Sequence, residues 1–265
     1  AQVREVAGTI IRLAKSRGMA TILVGHVTKD GAVAGPRTLE HLVDVVLSFE
    51  GDRHSRLRLV RTVKNRFGPA DEVGCFDLTD EGITGLPDPS GLFLSHGNSP
   101  VPGTCVTVTM EGRRALVTEV QALGMTTDLP NPRRATSGID SSRLAMLLAV
   151  LQRCANLSFS KRDVYAATVG GVRLDDPASD LALAMALAST YLNVAVIPGL
   201  VTIGEVGLAG EIRPVSAVRA RLVEAARLGF TTALVPPRCG AEVNGIRAIE
   251  VRDIMDAVRR VWPDA

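Results

Sequence analysis

Polar and apolar positions alternate through Arg56, Leu57, Arg58, Leu59, Val60, Arg61 and Thr62, the period of a half-buried strand. Gly68 and Pro69 stop that strand, and residues 73–78 read as its return. Between the two runs stands Lys64-Asn65-Arg66-Phe67-Gly68, two cations flanking an Asn at a strand end. Such groups sit on a rigid element, and they suit a phosphate or a neighbouring subunit, Arg as a planar fork and Lys as a point charge. A solvated basic turn is the other reading of the same residues. Asn65 is expected to fix the turn through side-chain bonds to the backbone, and Phe67 to pack in the core.

Before this hairpin, Val3, Val6, Ala7, Ile10 and Ala14 fall on one face of a helix that ends near Gly18. Residues 20–25 read as a short buried strand of the parallel type. A glycine-rich loop over 27–36, a short helix and a strand over 44–49 follow. Residues 86–102 carry Pro87, Pro89, Pro100 and Pro102 among Gly, Ser and Asn, a linker composition. The chain therefore divides into 1–89, a linker at 90–103 and a second domain at 104–265.

That second domain opens with alternating strands over 104–110 and 115–122, and the short glycine-containing link between them predicts a hairpin. Asp140 or Ser141 caps a helix with Leu144, Leu147, Leu148 and Leu151 on its apolar face. A strand over 163–169 follows, then a helix from Pro177, a favoured first-turn residue. A helix over 215–228, stopped by Gly229, a strand over 233–236 and a helix over 253–262 close the chain. The expected class is α/β.

Composition narrows the chemistry. With 46% hydrophobic and 3% aromatic residues, the core is aliphatic. A net charge of +2 sets up no global basic field, so nucleic-acid affinity has to come from local patches. Cys75, Cys105, Cys154 and Cys239 form no CxxC pair, which supports neither a disulfide framework nor a zinc site. No apolar run approaches the ~18 residues of a membrane span, and no signal peptide is evident. A soluble, cytoplasmic protein is expected. The sequence holds no Gly-x4-Gly-Lys-Ser/Thr loop of the kind that cradles nucleotide phosphates.

Thr21-Ile22-Leu23-Val24-Gly25-His26-Val27-Thr28-Lys29-Asp30-Gly31, then Ala34-Gly35-Pro36-Arg37-Thr38-Leu39-Glu40-His41, then the Lys64 to Gly68 motif together resemble the bacterial RadA (Sms) family of DNA recombination and repair ATPases. The resemblance covers nearly the whole chain. It implies a partial RecA-like ATPase sheet followed by a Lon protease-like α+β domain, of the type of the second domain of ribosomal protein S5. It also implies a DNA-dependent ATPase that processes branched recombination intermediates by helicase-like translocation on single-stranded DNA. Implied partners are single-stranded and branched DNA, the RecA recombinase and further copies of the chain, as a hexamer, with no membrane. ATP and Mg would serve the intact protein, and zinc its N-terminal finger. The chain is expected to be a C-terminal fragment that lacks finger and phosphate loop, binds none of these by itself, and does not hydrolyse ATP alone.

The resemblance also assigns roles. Lys64 and Arg66 match cations that reach a neighbour's nucleotide in RecA-like folds, with a DNA-facing role as the alternative. His26 stands where a γ-phosphate sensor sits, or is structural. Lys29, Arg37 and His41 lie in or beside the DNA-contacting loop. Arg113 with Arg114, Arg133 with Arg134, and Arg219 with Arg221 are candidates for lining a DNA channel, or else solvated faces. In the second domain, residues 175–180 and 204–215 resemble the Lon segments that carry its nucleophilic Ser and catalytic Lys. Ungapped, they put Ala178 and Arg221 at those two positions. Alanine has no nucleophile, and Arg stays protonated. Ser179, one residue later, is turned roughly 100° around the helix. An ATP-independent Ser-Lys peptidase is thereby opposed, and a purely structural ring module remains the other alternative.

Overall fold

The computed structural model describes residues 2–25, 40–51, 56–70, 72–87, 93–94 and 101–263. Helix α1 (Gln2–Arg17) ends where Gly18 takes φ +63° and Met19 N–H bonds back to Ala14 O at 2.9 Å. A left-handed residue after the last turn satisfies carbonyls that helix geometry leaves open, and glycine adopts it without a Cβ penalty. Of the expected apolar face, Ala7 and Ala14 are buried, but Val6 and Ile10 are exposed. Residues 20–25 are not a strand, and Ile22 and Val24 stand almost fully in solvent. A parallel strand exists only through hydrogen bonds to its neighbours, and no described residue pairs with this segment.

Strands β1 (Val45–Glu50), β2 (Leu57–Asn65), β3 (Val73–Thr79) and β4 (Gly82–Gly85) form an antiparallel sheet in sequence order. The second strand runs three residues further than the alternation suggested, so Lys64 and Asn65 are its last residues rather than loop. Pairing of Val45 with Asn65 and of Val46 with Lys64, beside a register shift at Val46/Leu47, holds this extension.

The remaining strands are β5 (Thr104–Glu111), β6 (Arg114–Thr126), β7 (Arg134–Ser137), β8 (Arg162–Thr168), β9 (Leu200–Thr202), β10 (Glu205–Val206), β11 (Ile212–Arg213), β12 (Thr232–Val235) and β13 (Arg247–Glu250). Seven of them make a mixed sheet in the order β13-β12-β9-β5-β6-β8-β7, and β10 pairs with β11 separately. The expected 104–122 hairpin is present, with Glu111 opposite Arg114. Strands β7, β9, β10, β11 and β13 are each two to four residues long, too short for a readable period.

Helices α2 (Ser141–Cys154), α3 (Asp180–Leu192), α4 (Val218–Arg227) and α5 (Ile254–Val261) cover this sheet. Asp140 caps α2 by accepting from Arg143 N–H at 2.8 Å. Residues 180–189 of α3 are all buried, as a helix apolar on every side must be. Small side chains at Ala182, Ala184, Ala186 and Ala188 let it lie against β5 and β6 on one side and α2 and α5 on the other. The class is mixed α/β, as read from the pattern. Leu57, Cys75 and Phe93 lie in the same apolar cluster as Leu116, Leu144 and Leu181, so the four-stranded sheet and the seven-stranded unit share a core.

Candidate functional site at a strand end

The end of β2 is built by Asn65. Its Oδ1 accepts from Phe67 N–H at 3.0 Å, and its Nδ2 donates to Pro69 O at 3.3 Å. Phe67, expected in the core, is instead 78% exposed. The turn is set by hydrogen bonds to Asn65, and the longer strand carries the ring past the end of the sheet.

The two cations differ in what they have left to offer. Lys64 is half-buried and turned back, its Nζ donating to Glu40 O and Val43 O at 2.8 Å each. An ammonium has three donors, so one remains. Arg66 donates Nη1 to Asp44 Oδ1 at 3.2 Å, its backbone N–H donates to Asp44 O at 3.0 Å, and its side chain is 69% exposed. A guanidinium carries five donors in a planar fork, and most of this one faces solvent. Lys64 braces the strand end and Arg66 is its open charge. The described residues do not enclose a nucleotide; for ATP they fit a phosphate contact from Arg66, supported by Lys64. His26, Lys29 and Arg37 lie outside the described residues, and His41 is exposed.

Further along β2, Arg61 joins the two sheets. Its Nη2 reaches Glu111 Oε2 at 2.5 Å and its Nε reaches Glu50 Oε2 at 3.5 Å. The hydrogen bond that Arg61 donates to Glu111 holds the Arg61 pKa above its ordinary value. No sequence signal marks this pair, because the partners are far apart in the chain and each alone reads as surface charge.

Ala178 and Arg221, expected at the positions of a nucleophile and a base, are fully buried and 1% exposed, respectively. Arg221 Nη1 contacts Asp176 Oδ2 at 2.7 Å and Val108 O at 2.5 Å, and its Nε donates to Ser216 O at 3.0 Å. Asp176 Oδ1 accepts from Ala178 N–H and Oδ2 from Met110 N–H, each at 3.0 Å. A hydrogen-bonded ion pair beside Ala178 thus ties α4 to β5. Ser179 is also buried, and its Oγ donates to Asp176 O at 2.7 Å, closing on its own helical turn. Gly204 belongs to this packing: its N–H donates to Ala178 O at 2.8 Å, and a Cβ there would meet Ile212 Cγ2 at 2.7 Å.

The remaining arginines separate into free and engaged. Arg113 and Arg133 are exposed. Arg114 donates Nη2 to Pro87 O at 2.5 Å. Arg134, expected as a phosphate contact, donates to Arg133 O at 2.9 Å, to Phe159 O at 2.8 Å and to Arg162 O. Burial draws its pKa down, against the pull of Asp163. Arg219 is exposed while Arg221 is interior; two residues apart on α4, they point to opposite sides. The two do not form a common basic face. Among the described residues no cluster of His, Cys, Asp and Glu is arranged to hold a metal ion, and no helix is long and apolar enough to cross a membrane.

The profile of the family described as "Subunit ChlI of Mg-chelatase" matches residues 146–238, within the seven-stranded unit. Three relatives extend the comparison over nearly the whole chain, and each is named "DNA repair protein RadA". The protein of Mycobacterium tuberculosis (strain ATCC 25618 / H37Rv) is 56% identical over 258 residues, 97% of this chain and 54% of that protein. That of Synechocystis sp. (strain PCC 6803) is 46% identical over 263 residues, covering 99% and 52%. That of Bacillus subtilis (strain 168) is 43% identical over 261 residues, covering 97% and 57%. The chain spans about half the length of the curated relatives it matches. At 43–56% identity over nearly its whole length, the chain belongs to the RadA family.

Proposed function

We propose that this chain works as part of a DNA repair ATPase, in which the end of β2 presents Arg66, braced by Lys64, to the nucleotide phosphates of a neighbouring subunit. The observation that carries the reading is the 69% exposed Arg66 side chain on a strand end fixed by Asn65. ATP supplies the phosphoanhydride and magnesium neutralises its oxygens. Arg66 adds a fixed charge where negative charge develops, a contribution worth most in the transition state. Lys64, held on two backbone carbonyls, keeps that strand end in place and has one donor left for the same phosphate.

The names of the relatives support a role in DNA repair. We take the substrate to be branched recombination intermediates, acted on by translocation along single strands within a hexamer. Arg113 and Arg133, exposed in the seven-stranded unit, are the cations we assign to DNA phosphates. The Asp176–Arg221 pair supports a scaffold role for this unit in place of peptide hydrolysis.

The test uses a protein of full RadA length. Lys64→Ala and Arg66→Ala should each lower ATP turnover by ~10³-fold, mainly in kcat, with nucleotide affinity kept. Mixing Arg66→Ala subunits with subunits defective in the phosphate loop should restore some turnover, because some interfaces then pair an intact loop with an intact Arg. Failure to recover although mixed oligomers form overturns the assignment across the interface.

A further inference from the structure

We propose that Arg61 is a positioning residue: its ion pair with Glu111 sets the angle of β2 against the seven-stranded unit and so aims the strand end that carries Lys64 and Arg66. The inference rests on the phosphate-directed reading of those two cations. Three observations carry it.

First, the pair crosses between sheets. Glu111 is the last residue of β5, and Arg61 lies three residues before Lys64 on β2. The two side chains are 29% and 21% exposed, so solvent screens their contact only in part. Second, the contact sits where the β5–β6 turn meets the four-stranded sheet. The β5–β6 turn touches the four-stranded region through Arg61–Glu111 and through Arg114 on the Pro87 carbonyl. A cleft of about 370 Å³ lies beside the pair, lined by Leu57 and Leu59 of β2, Leu116 of β6, Arg173 and Asp175 as well as by Arg61 and Glu111 themselves. A cleft leaves room for the sheets to tilt, and the pair stands in its wall. Third, the lever is long. From Arg61 to Arg66 is five residues, ~16 Å of extended chain at ~3.3 Å per residue. A tilt of ~10° about Arg61 moves the strand end by ~3 Å, where a ~1 Å misplacement of a catalytic group already costs on the order of 10²-fold.

The experiment compares Arg61→Gln, Glu111→Gln and the exchanged pair Arg61→Glu/Glu111→Arg in a protein of full RadA length, with Glu50→Gln as the same-sheet control. Each single neutral variant should lower kcat for ATP hydrolysis by roughly three- to tenfold with KM within about twofold, the size of a partly buried ion pair. The exchanged pair should return kcat to within about twofold of the parent, and Glu50→Gln should leave it there. Amide hydrogen exchange on the 265-residue chain provides the second reading. Amides of residues 62–65 should exchange faster in the single variants and at the parent rate in the exchanged pair. Parent-like kcat in both single variants, in a protein whose turnover Arg66→Ala abolishes, overturns the proposal. So does an exchanged pair that regains amide protection without regaining kcat. If Lys64→Ala and Arg66→Ala both keep full turnover, the phosphate reading falls on its own. The aiming role falls with it, and unchanged exchange at residues 62–65 would remove the ion-pair clamp as well.

Discussion

Arg221 shows how a charge can be built into a core. Its guanidinium is almost fully buried, and Asp176 neutralises it there. Removing one partner of a buried pair leaves the other charge uncompensated, and the cost is about 3–5 kcal/mol. Arg221→Met should therefore lower the urea-unfolding free energy by about 3 kcal/mol. Arg221→Met with Asp176→Asn should recover part of it, since Asn keeps the cap on Ala178 without the charge. Equal stability of the two variants would contradict the ion-pair account. Cysteine reactivity gives a second check at this scale. Burial pushes the Cys105 thiol up to about 12, and it raises that of the buried Cys75. The reactive species is the thiolate. A thiol reagent at pH 8 should thus label the half-buried Cys154 and Cys239 in the folded chain, and Cys105 and Cys75 only after denaturant is added.

Strand β2 is the element on which both faces of the molecule depend. Leu57 at its start is buried in the shared core, Arg61 in its middle pairs with Glu111, and Asn65 at its end locks the turn. Its substitutions should grade accordingly. Leu57→Ala removes core volume and should cost about 2–5 kcal/mol. Asn65→Ala loses turn bonds worth about 1 kcal/mol. Phe67→Ala, on an exposed ring, should stay within about 0.5 kcal/mol of the parent. Chemical denaturation of the three variants checks the order, and a Phe67→Ala loss as large as that of Leu57→Ala would mean that the ring packs somewhere. The alternation of residues 56–62 made this strand legible. Its last three residues were not, because Lys64 and Asn65 become strand by pairing with Val46 and Val45 of β1, across a register shift that passes over Val63.

At the scale of the whole molecule, Phe93 decides where one unit ends. Residues 90–103 read as linker, yet Phe93 is fully buried and its carbonyl accepts from Glu119 N–H at 2.9 Å. A chain beginning at residue 88 should accordingly melt well above one beginning at residue 101, by the about 3–5 kcal/mol of an emptied Phe site. Scanning calorimetry of the two gives the answer, and equal melting temperatures would return Phe93 to the linker. The shared cluster also predicts that residues 56–87 unfold together with the seven-stranded unit in one transition. An early, separate loss of the four-stranded sheet would count against it.

Local order was written into the sequence. The hairpin of β5 and β6, the Asp140 cap of α2, the Gly18 stop and the Asn65 turn each depend on residues a few positions apart, where periodicity and capping chemistry act. The residue types at 178 and 221 were legible too, but not the buried ion pair that Arg221 makes with Asp176. Only tertiary structure decided which charges are free. Arg66 and Lys64 look alike in sequence, yet Arg66 faces solvent and Lys64 is tied to backbone carbonyls; Arg133 and Arg134 are both exposed, and Arg134 is nevertheless held by backbone carbonyls. The partners of Arg61 and Arg221 lie 50 and 45 residues away. A charge becomes a clamp, a core ion pair or an open phosphate contact through what long-range packing brings against it, and no local pattern carries that information.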